Sequence, residues 1–337
     1  MIRQIKKKRI GILIYQYPIE LEIIILNKIT NFKTIFYLHN SLFFWIHLNL
    51  KFIKTIYKEY INSKYIISII PIENDFIFKK WGIKSIYMDN FISYEYKSIK
   101  PSDLTSKNIL MLGRASSKYK RFHLGILAME YITKEIPLCK MKIISNLNNT
   151  DFLQNLIINL KLKNNVEFVE FISKPEIYFK NISLHIFPTI SEAFPLALCE
   201  TKIYGIPNIL LGLNYLSMSK GGTIIIYDDL TETIAKEAIK LLKNDIYREM
   251  LGKEARLSMI KYNNKILLKK WVKLIVCIYY GDVYYQKLLD QNKSMSQKFA
   301  LNLLEEQLKL IKKRKPQYYN FTVSNFLNYT YLQNINL

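Results

Sequence analysis

Short apolar runs alternate with longer amphipathic stretches along most of this chain, and the two periods predict strands alternating with helices. Residues 10–15 (IGILIY) form a buried-strand run ended by Tyr17-Pro18. A helix is expected over 19–30, a strand over Lys33–Leu38 and a helix over 42–60. Next come a strand over Tyr65–Ile70, a helix that opens at Pro71 and stops at Gly82, and a short strand over Ser85–Met88. The polar stretch Ser98–Lys107, with Pro101 inside it, reads as a connector between domains. Beyond it strands are expected at Asn108–Leu112, Met141–Ser145, Val166–Phe171, Leu184–Phe187, Asn208–Leu211 and Thr223–Tyr227. Helices are expected at Arg121–Ile136, Asp151–Leu160, Pro195–Tyr204 and Thr231–Lys243, with two more over 245–280. Alternation of this kind belongs to parallel, doubly wound sheets, so the fold class is α/β.

A chain of 337 residues exceeds one hydrophobic core, which makes two domains the expectation. Its 50% hydrophobic and 23% charged content excludes a wholly disordered or fibrous protein. The net charge of +22 favours anionic partners. That surplus is discounted, because Lys, Ile, Asn, Tyr and Phe, all with A- and T-rich codons, are abundant while Gly and Pro number only 10 and 9. The basic residues are also spread along the chain rather than gathered on one recognition element, so no nucleic-acid partner is expected.

Cys139, Cys199 and Cys277 are odd in number and far apart, and no Cys/His pair has zinc spacing, which suggests a reducing compartment. The uncharged run Thr34–Leu50 is too polar and too short to span a membrane. The start, Arg3–Arg9 followed by Ile10–Tyr15, imitates a signal peptide, but Pro18, Glu20 and Glu22 interrupt it. The expectation is a cytoplasmic protein. Residues 282–337 hold an amphipathic helix at Lys298–Lys313, a basic run Lys312-Lys313-Arg314-Lys315, and an aromatic, Asn-rich tail. They read either as a solvated helix with a loosely ordered tail or as a segment lying on an anionic membrane surface, peripheral at its cytoplasmic face.

Two segments carry chemistry. In the first, Ser191-Glu192-Ala193-Phe194-Pro195-Leu196-Ala197-Leu198-Cys199-Glu200, Glu192 follows a strand and Glu200 sits in the helix that Pro195 is expected to open at its first position. Gly205-Ile206-Pro207 then stops that helix. A strand end meeting a helix start makes a crevice at the carboxyl edge of the sheet, where open α/β sheets bind ligands. The free N–H groups of Leu196 and Ala197 suit a phosphate, Glu200 can accept from ribose hydroxyls, and Glu192 can do so from a sugar. In the second segment, Gly113-Arg114-Ala115-Ser116-Ser117-Lys118-Tyr119-Lys120-Arg121-Phe122, Gly113 permits close backbone approach, while Arg114 and Lys120 can clamp a diphosphate.

These segments, in this order and separation, resemble the retaining family 4 glycosyltransferases (glycosyl transferases group 1) of the GT-B fold. The family's two glutamates with seven residues between them are matched by Glu192 and Glu200, and its Gly-Arg pair by Gly113-Arg114. Its following lysine aligns with Lys120, with Lys118 as runner-up. The resemblance covers about residues 10–275 and implies two Rossmann-like doubly wound domains facing a cleft. It implies that Arg114 and Lys120 bind the donor diphosphate, Glu200 the ribose and Glu192 the transferred sugar, with Gly113, Phe194, Leu196 and Ala197 lining the donor site. His39, in Tyr37-Leu38-His39-Asn40, resembles the family's histidine that faces the donor sugar, which makes Glu192, Arg114, Lys120 and His39 the catalytic candidates.

The implied activity is transfer of a sugar from a nucleotide-sugar donor to a hydroxyl of a glycan or lipid-linked saccharide, with retention and without a metal or other cofactor. The chain departs from the family in carrying Arg121 where Gly is usual and in having only about 100 residues before the connector, so the first domain is expected to be truncated. The domains are expected at 1–100 (acceptor side) and 101–265 (donor side), with a helix over 266–281 packing back toward the first and a tail from 282. A catalytically impaired nucleotide-sugar-binding partner is the alternative. Ser173 and Lys174 could border the base, Phe43-Phe44-Trp45 reads as core or as an acceptor- or lipid-facing patch, and His123 and His185 as structural or surface residues.

Overall fold

The computed structural model describes residues 11–16, 33–42, 50–92, 98–171, 176–213, 216–281, 285–286 and 289. The expected helix over 19–30, the Phe43-Phe44-Trp45 patch, Ser173, Lys174 and the Lys298–Lys313 helix lie outside these residues. The chain divides into two units, one running to Phe91 and resuming at Lys265, the other spanning Ile92–Asn264.

In the first unit the chain forms β1 (Ile12–Tyr15), β2 (Lys33–Tyr37), α1 (Leu50–Asn62), β3 (Tyr65–Ser68), α2 (Pro71–Trp81) and β4 (Ile86–Tyr87). The strands make a parallel sheet in the order β1-β2-β3-β4, with Ile35 opposite Tyr65 and Ile67 opposite Ile86. Ile35, Phe36 and Tyr37 of β2 and all of β3 are buried, which is why these runs are apolar without alternation. α1 is fastened to β1 through Tyr15, whose hydroxyl donates to Glu59 at 3.2 Å and bonds Ser63 at 2.6 Å. α2 stops at Gly82, whose N–H donates to the Phe78 carbonyl at 2.9 Å.

The second unit contributes β5 (Ile109–Leu112), α3 (Phe122–Glu135), β6 (Met141–Ser145), α4 (Asp151–Asn159), β7 (Val166–Glu170), α5 (Glu176–Phe179) and β8 (Leu184–Phe187). It continues with α6 (Leu196–Ile203), β9 (Asn208–Leu211), β10 (Thr223–Ile226), α7 (Thr231–Lys243) and α8 (Asp245–Ser258). Its six parallel strands run in the order β10-β9-β8-β5-β6-β7. From β5 the chain winds outward through β6 to β7, then crosses back to β8 and winds the other way. The reversal lies between β5 and β8, and a crevice opens at such a point at the carboxyl ends of the strands. α3 and α7 pack together over the sheet, burying Phe122, Ile126, Met129 and Ile132 from one and Ile234, Ala238 and Leu241 from the other.

The polar stretch before β5 is tied into this unit. Ser102 N–H donates to the Tyr204 carbonyl at 2.8 Å, Ser102 Oγ to the Ile182 carbonyl at 2.7 Å, and residues 104–106 form a 3-10 turn. Arg248 of α8 is buried, and its guanidinium donates to the Leu104, Leu241 and Leu242 carbonyls and to Asp245. It thereby satisfies the orphan carbonyls that end α7.

The last helix, α9 (Asn264–Tyr280), packs within the first unit through Leu267, Leu274 and Ile278, and its Trp271 ring meets Tyr37 edge-on at 5.2 Å. Lys33 of β2 donates to the α9 carbonyls of Ile278 (2.5 Å) and Tyr279 (3.0 Å). Among the described residues no helix is long and apolar enough to cross a membrane.

Candidate functional site

The loops that follow β5 and β8, on either side of the reversal, are stitched to one another. The Tyr119 carbonyl accepts from Ile190 N–H at 3.0 Å and from Thr189 Oγ1 at 3.2 Å. Arg121 Nε donates to the Pro188 carbonyl at 2.8 Å, and its guanidinium pairs with Asp229, after β10, at 2.9 Å. Arg121 has φ 49 and ψ 40, a left-handed backbone that side chains with a Cβ avoid. The position therefore suits glycine, and here an arginine is held in the same conformation by its buried bond and ion pair.

Gly113 leaves β5 with φ 144, and a Cβ built there would lie 3.7 Å from both Lys120 Cε and Phe122 Cζ. The Lys120 side chain thus runs over the glycine. Its ammonium pairs with the Glu192 carboxylate and lies 5.4 Å from the centroid of the Phe187 ring. Thr189 Oγ1 also lies 3.2 Å from the same Glu192 oxygen, so its one proton is shared between that carboxylate and the Tyr119 carbonyl. Gly113, Lys120 and Glu192 are therefore brought together. Arg114 is exposed, and its guanidinium has no hydrogen bond or ion pair among the described residues. Ala115 N–H donates to Ser145 Oγ at 2.8 Å, which fixes the turn beyond it to the end of β6.

The helix with the second glutamate begins one residue later than the sequence predicts. Pro195 is the N-cap, with extended backbone (φ −74, ψ 102), and Leu196 is the first helical residue. Proline at the cap leaves the N–H groups of Leu196 and Ala197 without intrahelical partners at the carboxyl edge of the sheet. Phe194 is buried, its ring edge-on to Tyr262 at 5.6 Å, so its side chain packs inward. Gly205, with φ 70, closes α6; its N–H donates to Lys202 and that of Ile206 to Thr201.

Glu200 lies one turn inside α6. It is half-buried, its carboxylate has no hydrogen bond or ion pair among the described residues, and desolvation raises its pKa from 4.5 to about 7. Two residues on, Lys202 is fully buried and donates to the carbonyls of Met218 (2.5 Å), Lys220 (2.9 Å) and Gly221 (2.8 Å). His185 is structural rather than surface: it is buried in β8, its Nδ1 lies 2.7 Å from Asn208 Oδ1, and burial lowers its pKa to about 4. His123 is lowered by burial and by Arg121 beside it.

In the first unit His39 follows β2 in a half-buried position, edge-on to the Tyr37 ring at 4.2 Å, and burial lowers its pKa. Thr189, Phe187 and the Arg121–Asp229 pair were not foreseen from the sequence. Thr189 and Phe187 carry a positional signal, since both lie at the end of the strand that leads to Glu192.

Residues 94–258 match the model of the family described as Glycosyl transferases group 1. Over 199 residues the chain is 26% identical to an uncharacterized glycosyltransferase of Haemophilus influenzae, covering 58% of this chain and 55% of that protein. Among solved structures, S. aureus TarM in complex with fondaparinux, alpha-GlcNAc-glycerol and UDP superimposes with a TM-score of 0.67 at 20% identity, over 78% of this chain and 55% of that one. Sucrose-phosphate synthase from Thermosynechococcus elongatus does so at 0.70 and 15% identity, over 83% and 76%. The chain thus spans little more than half the length (55%) of the Haemophilus and TarM relatives. Two Rossmann-like units of this likeness make the fold GT-B, and the likeness to the glycosyl transferases group 1 family lies in residues 94–258.

Proposed function

We propose that the protein transfers a sugar from a nucleotide-sugar donor to a hydroxyl of a glycan or lipid-linked saccharide, with retention of anomeric configuration. The observation that carries this reading is Glu200, a half-buried carboxylate without a hydrogen bond or ion pair among the described residues, one turn inside a helix whose free N–H groups face the same sheet edge. A half-buried carboxylate without a protein donor suits vicinal hydroxyls such as those of a ribose. The amides of Leu196 and Ala197, with Arg114 and Lys120, take the diphosphate.

Cleavage of the bond between the sugar's anomeric carbon and the diphosphate leaves negative charge on the leaving oxygen. Fixed cations and a helix N-terminus stabilise that charge more in the transition state than in the ground state. Removing one such group costs about 2.7–4 kcal/mol of barrier, by analogy with a lost oxyanion donor. The acceptor oxygen bonds to the same face of the anomeric carbon, and its proton passes to the leaving diphosphate. Glu192 holds hydroxyls of the transferred sugar. His39 is assigned to the sugar by the family resemblance alone.

Nucleotide release from a panel of UDP-, GDP- and ADP-sugars, with and without saccharide acceptors, tests the proposal. Acceptor-stimulated release from one nucleotide class supports transfer. Tight donor binding without release under any acceptor supports the alternative of a catalytically impaired nucleotide-sugar-binding partner.

A further inference from the structure

On its outward side α9 carries Leu268, Val272, Val276 and Tyr279, spaced i, i+4, i+8 and i+11, so they form one stripe along the helix. These are not marginal exposures: Leu268 is 62% and Tyr279 58% accessible, and Tyr280 beside them 75%. The buried side is supplied separately by Leu267, Leu274 and Ile278, which makes the outer stripe additional to what folding requires. Lys265, Lys269 and Lys273 repeat at i, i+4 and i+8 and run alongside the stripe, and Lys270 adds a fourth cation. No Asp or Glu occurs anywhere from Ala255 to Gly281.

Genomic Lys bias can raise the number of lysines. It does not place them in register beside an apolar row or remove every acid from the helix. An apolar stripe edged by lysines on an acid-free helix complements a surface that is apolar beneath and anionic above, which describes the interface of an anionic bilayer. A protein partner of matching acidity would meet the cations but would also need an apolar groove as long as the helix.

We propose that the outer face of α9 docks on anionic lipid surfaces, with Leu268, Val272, Val276 and Tyr279 entering the headgroup boundary and Lys269 and Lys273 contacting lipid phosphates. The reading is independent of the donor site. It would bring the enzyme to the surface where a lipid-linked acceptor resides.

The test is co-sedimentation of the full chain with phosphatidylcholine vesicles, with and without added phosphatidylglycerol, at low and high salt. Binding to the anionic vesicles alone is expected, weakened by salt. It should fall by about tenfold or more in Lys269→Glu/Lys273→Glu, which alters only exposed side chains, and similarly in Val272→Ser/Val276→Ser. Thermal melts of both variants establish that they fold. Failure to bind anionic vesicles at low salt overturns the proposal, as does binding unchanged in both folded variants, which would place the lipid contact elsewhere in the chain. A dimer in light scattering that the Val272→Ser/Val276→Ser variant dissolves also overturns it, since the stripe would then be covered by a second copy.

Discussion

Lys120 runs over Gly113 from the loop after β5 and pairs with the carboxylate of Glu192 in the loop after β8. Two groups assigned to different parts of one donor, its diphosphate and its sugar, are thus each other's counter-ions. The pairing separates their effects. Lys120→Met should weaken nucleoside diphosphate binding by about tenfold or more, the worth of a charge-assisted hydrogen bond. Glu192→Gln frees the ammonium, so it should leave diphosphate affinity unchanged or tighter while lowering sugar transfer. Calorimetric titration of both variants decides this, and equal weakening by the two would contradict the assignment.

Glu200 links the site to stability. Its folded pKa, raised from 4.5 to about 7, means that between those values the folded protein holds a proton the unfolded chain has released. Stability therefore falls as pH rises through that window, and the penalty is complete above about pH 7. Glu200→Gln removes the charge. It should stabilise the protein by up to about 3 kcal/mol at pH 8 and leave stability near pH 4.5 unchanged, as read from urea melts of both proteins.

Arg121 combines a strained backbone with a favourable side chain. Arg121→Ala keeps the left-handed conformation and loses the bond to Pro188 and the pair with Asp229; Arg121→Gly loses the same contacts but relieves the backbone. The alanine variant should be less stable than the glycine variant by about 1 kcal/mol. Equal melting of the two would show that the backbone at this position is not strained.

The buried ammonium of Lys202 holds three carbonyls of the segment after β9. Lys202→Met leaves them without a donor, at about 1–3 kcal/mol for each buried group left unsatisfied. Hydrogen exchange of residues 216–222 should accelerate while that of α7 stays unchanged.

Legibility in the sequence followed burial. The central strands β5, β8 and β9 are buried on both faces, so Ile109–Leu112, Leu184–Phe187 and Asn208–Leu211 stand out as unbroken runs. α6 was visible through its bracketing Pro195 and Gly205, although the start was misplaced by one residue because proline serves equally well just before a helix. Glu192 and Glu200 were singled out in the sequence because their spacing resembles that of the family's two glutamates. The pairing of Lys120 with Glu192 was not, because residues 72 positions apart meet only through the order of the strands. Arg248 and Lys202 were missed for a related reason: a buried cation satisfied by carbonyls looks, in sequence, like any surface cation.

The most direct test of the central claim, that the α6 edge is a nucleotide-sugar donor site, is thermal shift with UDP, GDP, ADP and their sugar conjugates, on the wild type and Glu200→Ala. A ligand at 100 times its dissociation constant adds about 2.7 kcal/mol, which is readily measured. The account predicts stabilisation by one nucleotide class, with affinity about 10–100-fold weaker in the variant. No shift with any nucleotide, or an equal shift in both proteins, would contradict it.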